Sequence, residues 1–423
     1  MNYKRIEKEH FNIHLIQTDK FKTITVKVNF KRELKKEEIT KRNILVNALL
    51  EGTKNNPSKR LLEIKTETLY DLGYRVSNYS SGIYSILSFD MTYINPKYTE
   101  NTMNDESFKF LSELIYNLNN ENDSVAKLNY DIAKNMLEDY LLTIKENASG
   151  YATTRALEEM DEEIISYRSS GYLEDMDSFD SKELYEYYKD VIDNDIVDIF
   201  ILGDITDNEV EKLIDKYMKF NNNKKEKKSH FFTHKKIDDE VKFVSEKVDK
   251  EQSTLILGFR VEEMNDYMKK YVSTVYNYIL GGSCESNLFQ TVREENSLCY
   301  YITSTNQPVL AISIIRSGIN ANDYEQALVL IRNELENMKK GIFDSSKIEN
   351  AKTTYISGLT ELLDSPQSII SLYSGMEYLG SDDIETRKEN IMKVTKEEIM
   401  EYASHVHLNM IFLLEGCDNN EEE

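Results

Sequence analysis

The chain has 423 residues, with 52 Lys and Arg against 75 Asp and Glu, a net charge of −23 and 40% hydrophobic residues. This suits two domain cores rather than one, and the acidity repels phosphate backbones and anionic membranes, so nucleic acid and membrane partners are set aside in favour of basic ligands. No run of about 18 apolar residues occurs, and MNYKRIEKEHFNIHLIQ lacks the apolar centre of a signal peptide, so the expected location is the cytoplasm.

In chain order, NIHLIQTDKFKTITVKVNF alternates apolar and polar residues around Thr18, Asp19 and Lys20, which predicts a hairpin of half-buried strands. Ile44, Leu45, Ala48 and Leu49 make an apolar helical stripe, and Gly52 is its expected stop. Helical patterns then cover 107–118, 125–146 and 148–166. A capping box, Asp180-x-x-Glu183, opens a helix that leads to the apolar strand IFILGD. Residues 221–239 are polar, Lys-rich and without hydrophobic period, as expected of a linker. Beyond it, FVSEKVDKEQSTLILGFRV again reads as a hairpin, and Leu288-Phe289 restarts a helix after Gly281-Gly282. Helical patterns occupy 323–340, 345–363 and 366–379, and a second capping box, Thr395-x-x-Glu398, precedes the strand MIFLLEG.

The two halves repeat one another. Asp19-Lys20 recurs as Asp249-Lys250, Thr23 as Ser253, and NALLEGTK from Asn47 as NYILGGSC from Asn277, all at an offset of 230 without gaps. The predicted class is therefore α+β, with two homologous domains that each carry a mainly antiparallel sheet covered by helices. The expected boundaries are 1–220, a linker at 221–239, 240–416, and an acidic tail at 417–423. Cys284, Cys299 and Cys417 are an odd three without a C-x-x-C pair and read as reduced thiols. His230 and His234 have metal-chelating spacing but lie in the polar linker, where an exposed pair is the expectation. No Ser-His-Asp or Cys-His set stands out, while Cys299 beside Tyr300 stays open as a nucleophile.

The most specific string is GGSCESNLFQTVREENSLCYY, from Gly281 to Tyr301, in which Arg293 lies seven residues before Tyr300. It resembles the C-terminal-domain signature of the pitrilysin/insulinase-like metallopeptidase family, and the likeness extends over essentially the whole chain. The resemblance implies a clam-shell like that of mitochondrial processing peptidase, with zinc on the first domain, an Arg/Tyr pair on the second, and substrate peptide held between them as an added strand. The family's zinc helix reads H-x-x-E-H. Laid on RNILVNALLEGTK with Gly52-Thr53 as anchor, it places the first His on Asn43, the Glu on Val46 and the second His on Asn47. The family's third ligand falls on Tyr140, with Asp139 adjacent.

Amides are poor zinc ligands and Val46 cannot accept a proton, so no metal, no cofactor and no catalytic residue are expected in this chain. Arg293 and Tyr300 are the expected substrate-binding residues. The resemblance implies a non-catalytic subunit of a heterodimeric zinc metallopeptidase, paired with an H-x-x-E-H homologue and contacting a peptide or unfolded polypeptide. It also suggests the zinc-lacking member of a Gram-positive pair associated with the 5-aminopentanol modification of elongation factor P. The alternative is a peptide-binding or scaffold protein with no hydrolytic partner, which would capture extended basic peptides by β-augmentation. Taken as bare residues, Asn43 and Asn47 read as solvent-facing helix positions, Arg293 as part of a solvated face and Tyr300 as an ordinary sheet residue.

Overall fold

A computed structural model describes residues 1–160, 163–221, 232–234, 237 and 240–417. Most of the 221–239 linker, His230, and residues 418–423 of the acidic tail lie outside the described residues. In the first half the order is β1 (Asn2–Glu7), β2 (Phe11–Gln17), β3 (Thr23–Glu33), α1 (Lys36–Glu51), α2 (Lys59–Glu67), β4 (Gly73–Ser81), β5 (Tyr84–Ile94) and α3 (Met103–Tyr116). A two-residue pair, β6 (Asn120–Glu121) and β7 (Ser124–Val125), precedes α4 (Lys127–Thr143), α5 (Ala148–Glu159), α6 (Ser181–Asn194), β8 (Ile196–Gly203) and α7 (Asp207–Tyr217). The second half runs β9 (Lys242–Lys247), β10 (Ser253–Val261), α8 (Ser273–Leu280), β11 (Cys299–Gln307), β12 (Ile312–Ile319), α9 (Tyr324–Lys340) and α10 (Ser346–Glu361). It closes with α11 (Pro366–Leu379), α12 (Ile384–Lys393), α13 (Lys396–Ser404) and β13 (Val406–Glu415). Both capping boxes are formed as expected, Asp180 with Glu183 before α6 and Thr395 with Glu398 before α13.

The strand order is β1-β2-β8-β3-β5-β4 in one sheet and β11-β12-β10-β13-β9 in the other. Most pairs are antiparallel, and the parallel pairs are β2 with β8 and β13 with β9. Neither expected hairpin forms. β8 lies between β2 and β3, and β13 lies between β9 and β10. The physical reason is burial: β8 and β13 are apolar almost throughout and need neighbours on both edges. The connections 18–22 and 248–252 are long enough to straddle an inserted strand, because two strand spacings are only about 10 Å.

The compact units are not colinear with the chain. One contains residues 1–142, 168–228 and 363–378, and the other 143–167, 229–362 and 379–423. Each unit thus takes a helix from the opposite half of the sequence. In the first unit, Ile24, Val26, Val28, Phe30, Val197, Ile199 and Ile201 fill the main core on one face of the sheet. The other face is polar and buried, with Asn12, His14, Asn29 and Asp198 side by side. Helix α11 lies on it, stacking Tyr373 on Tyr3 and receiving a hydrogen bond from Asn29 Nδ2 at the Tyr378 hydroxyl (3.0 Å).

In the second unit the main core takes Leu255, Leu257, Phe259 and Val261. Its opposite face is apolar, with Ile256, Ile312, Ile314, Met410, Phe412 and Leu414 packed under Ala152, Ala156 and Met160 of the α5 segment. These cores also correct the gap-free repeat. Even-numbered residues of β3 and odd-numbered residues of β10 face the main cores, so an even offset of 230 places core positions of one strand on the wrong face of the other. Among the described residues no helix is long and apolar enough to cross a membrane.

Candidate substrate-contact site and a degenerate metal helix

The helix that would carry the family's zinc is α1. Ile44, Leu45, Ala48 and Leu49 bury its core-facing stripe, and Asn43 and Asn47 lie one turn apart on a neighbouring face. The two amides are not idle solvent-facing residues. Asn43 Nδ2 donates to the Ser169 carbonyl (2.9 Å), and Asn43 Oδ1 accepts from Asn78 Nδ2 (3.3 Å) of β4. Asn47 Nδ2 donates to the Ala133 carbonyl (3.2 Å), which ties α1 to α4. Val46 packs against the core, and Tyr140 is 55% exposed on α4. The donor set does not fit zinc: two amides committed to carbonyls, one aliphatic side chain and at best the carboxylate of Asp139 cannot supply three ligands and a base.

The retained Gly52-Thr53 has a structural cause. A Cβ on Gly52 would stand 2.6 Å from the Pro57 carbonyl carbon, and φ is +154°. Thr53 then donates to Glu113, which also accepts from Asn56 Nδ2 (2.8 Å), and its amide closes onto the Asn56 carbonyl (2.8 Å). This turn needs its glycine and threonine whether or not a metal is nearby.

Arg293 and Tyr300 belong to the second unit. Arg293 sits in a π-helical stretch, Phe289–Glu295, that packs against β11. Its guanidinium lies 4.6 Å from the centre of the Phe289 ring, 3.8 Å from the Glu294 carboxylate, and the side chain is 41% exposed. The chain leaves this stretch through Ser297, whose φ of +54° is a left-handed conformation rare outside glycine. The turn is held by hydrogen bonds from the Ser297 amide to the Arg293 carbonyl and from the Leu298 amide to the Val292 carbonyl, both 3.0 Å.

Tyr300 follows at the start of β11, which among the described residues is an edge strand paired with β12. The register slips between Cys299 and Tyr301, which leaves Tyr300 as the extra residue of a bulge. Bulges re-aim side chains away from the regular pleat, and Tyr300 is 61% exposed, its hydroxyl donating to Asn320 Oδ1 (3.1 Å). Behind the site, a Cβ on Gly281 would meet the Ser304 side chain at 2.7 Å, so glycine lets the end of α8 approach β11 and accept the Ser304 amide (2.9 Å).

Both expected substrate-binding residues are therefore accessible and polar, Tyr300 on β11 and Arg293 in the helical stretch packed against it. Cys299 differs: it is buried, and burial raises its thiol pKa against the opposing pull of Arg293, which leaves it a protonated and poor nucleophile at neutral pH. Sequence reading missed the bulge, for which a one-residue slip in pairing leaves no compositional trace. It also missed the cluster of His14, Asp198 and Glu377, whose members are far apart in sequence.

Residues 178–355 match the family model described as the Peptidase M16 inactive domain. The Bacillus subtilis protein named probable inactive metalloprotease YmfF is 27% identical over 411 residues, 96% of each chain. The uncharacterized zinc protease YmxG of the same organism is 30% identical over 212 residues, 49% of this chain and 50% of that one. A solved structure of a conserved protein from Enterococcus faecalis superposes with a TM-score of 0.92 at 26% identity, covering 100% of both chains.

Proposed function

Because the chain belongs to the pitrilysin/insulinase-like (M16) peptidase family, as an inactive homologue without the zinc motif, we propose that it is the peptide-binding, non-catalytic subunit of a heterodimeric metallopeptidase. Its partner is a zinc-bearing H-x-x-E-H homologue, of the kind that YmxG represents by name. The observation that carries this reading is the asymmetry between the two motifs. The helix of the lost zinc motif has its amides committed to structure, while Arg293 stands exposed with its donor groups and Tyr300 is exposed with its hydroxyl resting on Asn320 at the surface. In the assembled pair, the guanidinium and phenol donate hydrogen bonds to the carbonyl oxygens of an extended peptide, where negative charge develops as the bond is cleaved. The acidic chain favours basic peptides.

The test is co-expression with an H-x-x-E-H homologue and a peptide-cleavage assay of the purified pair. Arg293→Ala removes a hydrogen bond to a developing charge, about 1.5–3 kcal/mol, and should slow cleavage by roughly tenfold to a hundredfold. Tyr300→Phe should act in the same direction and leave assembly intact. An Arg293→Ala pair that cleaves at the wild-type rate removes the assigned role.

The second reading is peptide capture without hydrolysis, favoured by the outer edge of β11 beside Tyr300, which no further strand covers among the described residues. It predicts binding of basic peptides by this chain and no cleavage with any zinc-bearing homologue. A cytoplasmic setting and a connection with elongation factor P modification belong to the first reading. For the latter, cleavage of an elongation factor P-derived substrate by the pair is the direct assay.

A further inference from the structure

The polar face under α11 holds three metal-ligating side chains that the proposed function does not use. His14 of β2 and Asp198 of β8 are buried to within 1% of full, and Glu377 of α11 is 12% exposed at its side chain. One ligand atom from each lies within 4.8 Å of the other two. We infer that His14, Asp198 and Glu377 form a binding site for a divalent transition metal, zinc first, distinct from α1, where the family carries its zinc.

Three observations support this. His14 Nε2 and Asp198 Oδ1 are 3.4 Å apart. That is long for a charge-assisted hydrogen bond and close to the separation, about 3.3 Å, of two ligands bound at 2.0–2.1 Å in a tetrahedral site. The atoms behind these two ligands are those of an outer shell. His14 Nδ1 bonds the Tyr3 hydroxyl (2.8 Å), which leaves Nε2 as the ligating nitrogen when Nδ1 carries the proton, and Asp198 Oδ1 accepts from Asn12 Nδ2 (2.9 Å). Finally, Asp198 Oδ2 is buried without a hydrogen bond of ordinary geometry, and the Asp198 carboxylate is met by Lys31 Nζ at 3.7 Å and by the Tyr378 hydroxyl, so it has room for a closer cation. One imidazole and two carboxylates suit zinc, manganese or iron(II), with a fourth position left for water.

Side-chain cations also face the cluster. Lys31 Nζ is 3.7 Å from Asp198 Oδ2, and Arg5 Nη2 is 3.3 Å from Glu377 Oε1. They balance the two carboxylates, so an incoming dication competes with them, and neutralising Lys31 should strengthen metal binding. A purely structural cluster has no such dependence. A bound metal would tie α11 to β2 and β8 inside the first unit, which gives it a structural rather than a hydrolytic role.

The experiment uses the full chain, stripped with chelator and titrated with Zn2+ and, for its visible spectrum, Co2+. The expected result is one equivalent bound, a rise in Tm with metal, at least tenfold weaker binding in His14→Gln and in Glu377→Gln, and tighter binding in Lys31→Met. Glu377, at the rim, keeps the test usable if His14→Gln fails to fold. His405 and His407, which share Glu262 (2.5 and 2.8 Å) elsewhere on the chain, are the control pair, and their double alanine variant should bind as wild type. The proposal is overturned if the wild-type chain binds no metal, if Glu377→Gln binds at full strength, or if binding is lost in the His405/His407 variant.

Discussion

Asn47 stands where the resemblance would place a metal ligand and performs a different task, joining α1 to the Ala133 carbonyl of α4. Reversing the loss takes more than restoring the motif. The triple substitution Asn43→His, Val46→Glu, Asn47→His still lacks a third ligand at Tyr140 and places a carboxylate on a side chain now packed against the core. We expect no peptidase activity from it alone, and a stability loss of about 1 kcal/mol or more from the severed Asn47 hydrogen bond, measured by urea denaturation. Peptide hydrolysis by this triple variant without Tyr140→Glu would refute the assignment of the lost ligands. Cys299 gives a second test at this scale. With its thiol pKa raised by burial, it should react with iodoacetamide much more slowly at pH 7.5 than the exposed Cys284 and Cys417, as read by mass spectrometry of the labelled peptides.

Two helices show how differently an element can be held. Helix α11 covers a face of buried polar side chains, whereas α5 covers an apolar one and adds an ionic rim: Glu159 pairs with Lys242 of β9 (2.7 Å), and Arg155 pairs with Glu246 (2.8 Å). The Lys242 hydrogen bond, with smaller contributions from the charges of Lys242 and Arg155, holds the Glu159 carboxyl below its ordinary range. Its folded pKa lies below the unfolded value, so this contribution is present above about pH 4.5 and is lost as the pH falls through the folded pKa. Amide exchange in α5 should therefore quicken relative to the β10–β13 pair when the pH is lowered from 6 to 4, after correction for intrinsic rates. In Glu159→Gln that extra change should be smaller. An unchanged pH response in the variant would locate the acid sensitivity elsewhere. The bulge at Tyr300 belongs to this scale as well, since the residue is exposed through the strand's irregularity and not through its own chemistry.

For the whole molecule, the consequence of the exchanged helices is that neither half of the sequence is complete. Residues 240–416 alone would lay open Ile256, Ile312, Ile314, Met410, Phe412 and Leu414, the face that α5 covers. Such a patch promotes association, so this fragment should aggregate or bind ANS strongly, and co-expression with residues 1–220 should make it soluble. A monodisperse, ANS-silent fragment would contradict this. The sequence alone determined most of the longer helices, the two expected capping boxes and the α+β class, because periodicity and caps are local, while α2, α7 and α12 were not read from it. It also determined that Asn43, Val46 and Asn47 do not spell an H-x-x-E-H site, because amides are poor zinc ligands and a valine cannot accept a proton whatever the fold. Only the tertiary structure decided that β8 and β13 split the expected hairpins, that each unit borrows a helix, that Tyr300 stands on a bulge and that His14 meets Asp198 and Glu377. Apart from the Tyr300 bulge, which is set by pairing with the next strand, those outcomes depend on which faces find each other between distant parts of the chain. Strand alternation specifies that a face must be covered, and does not specify by what.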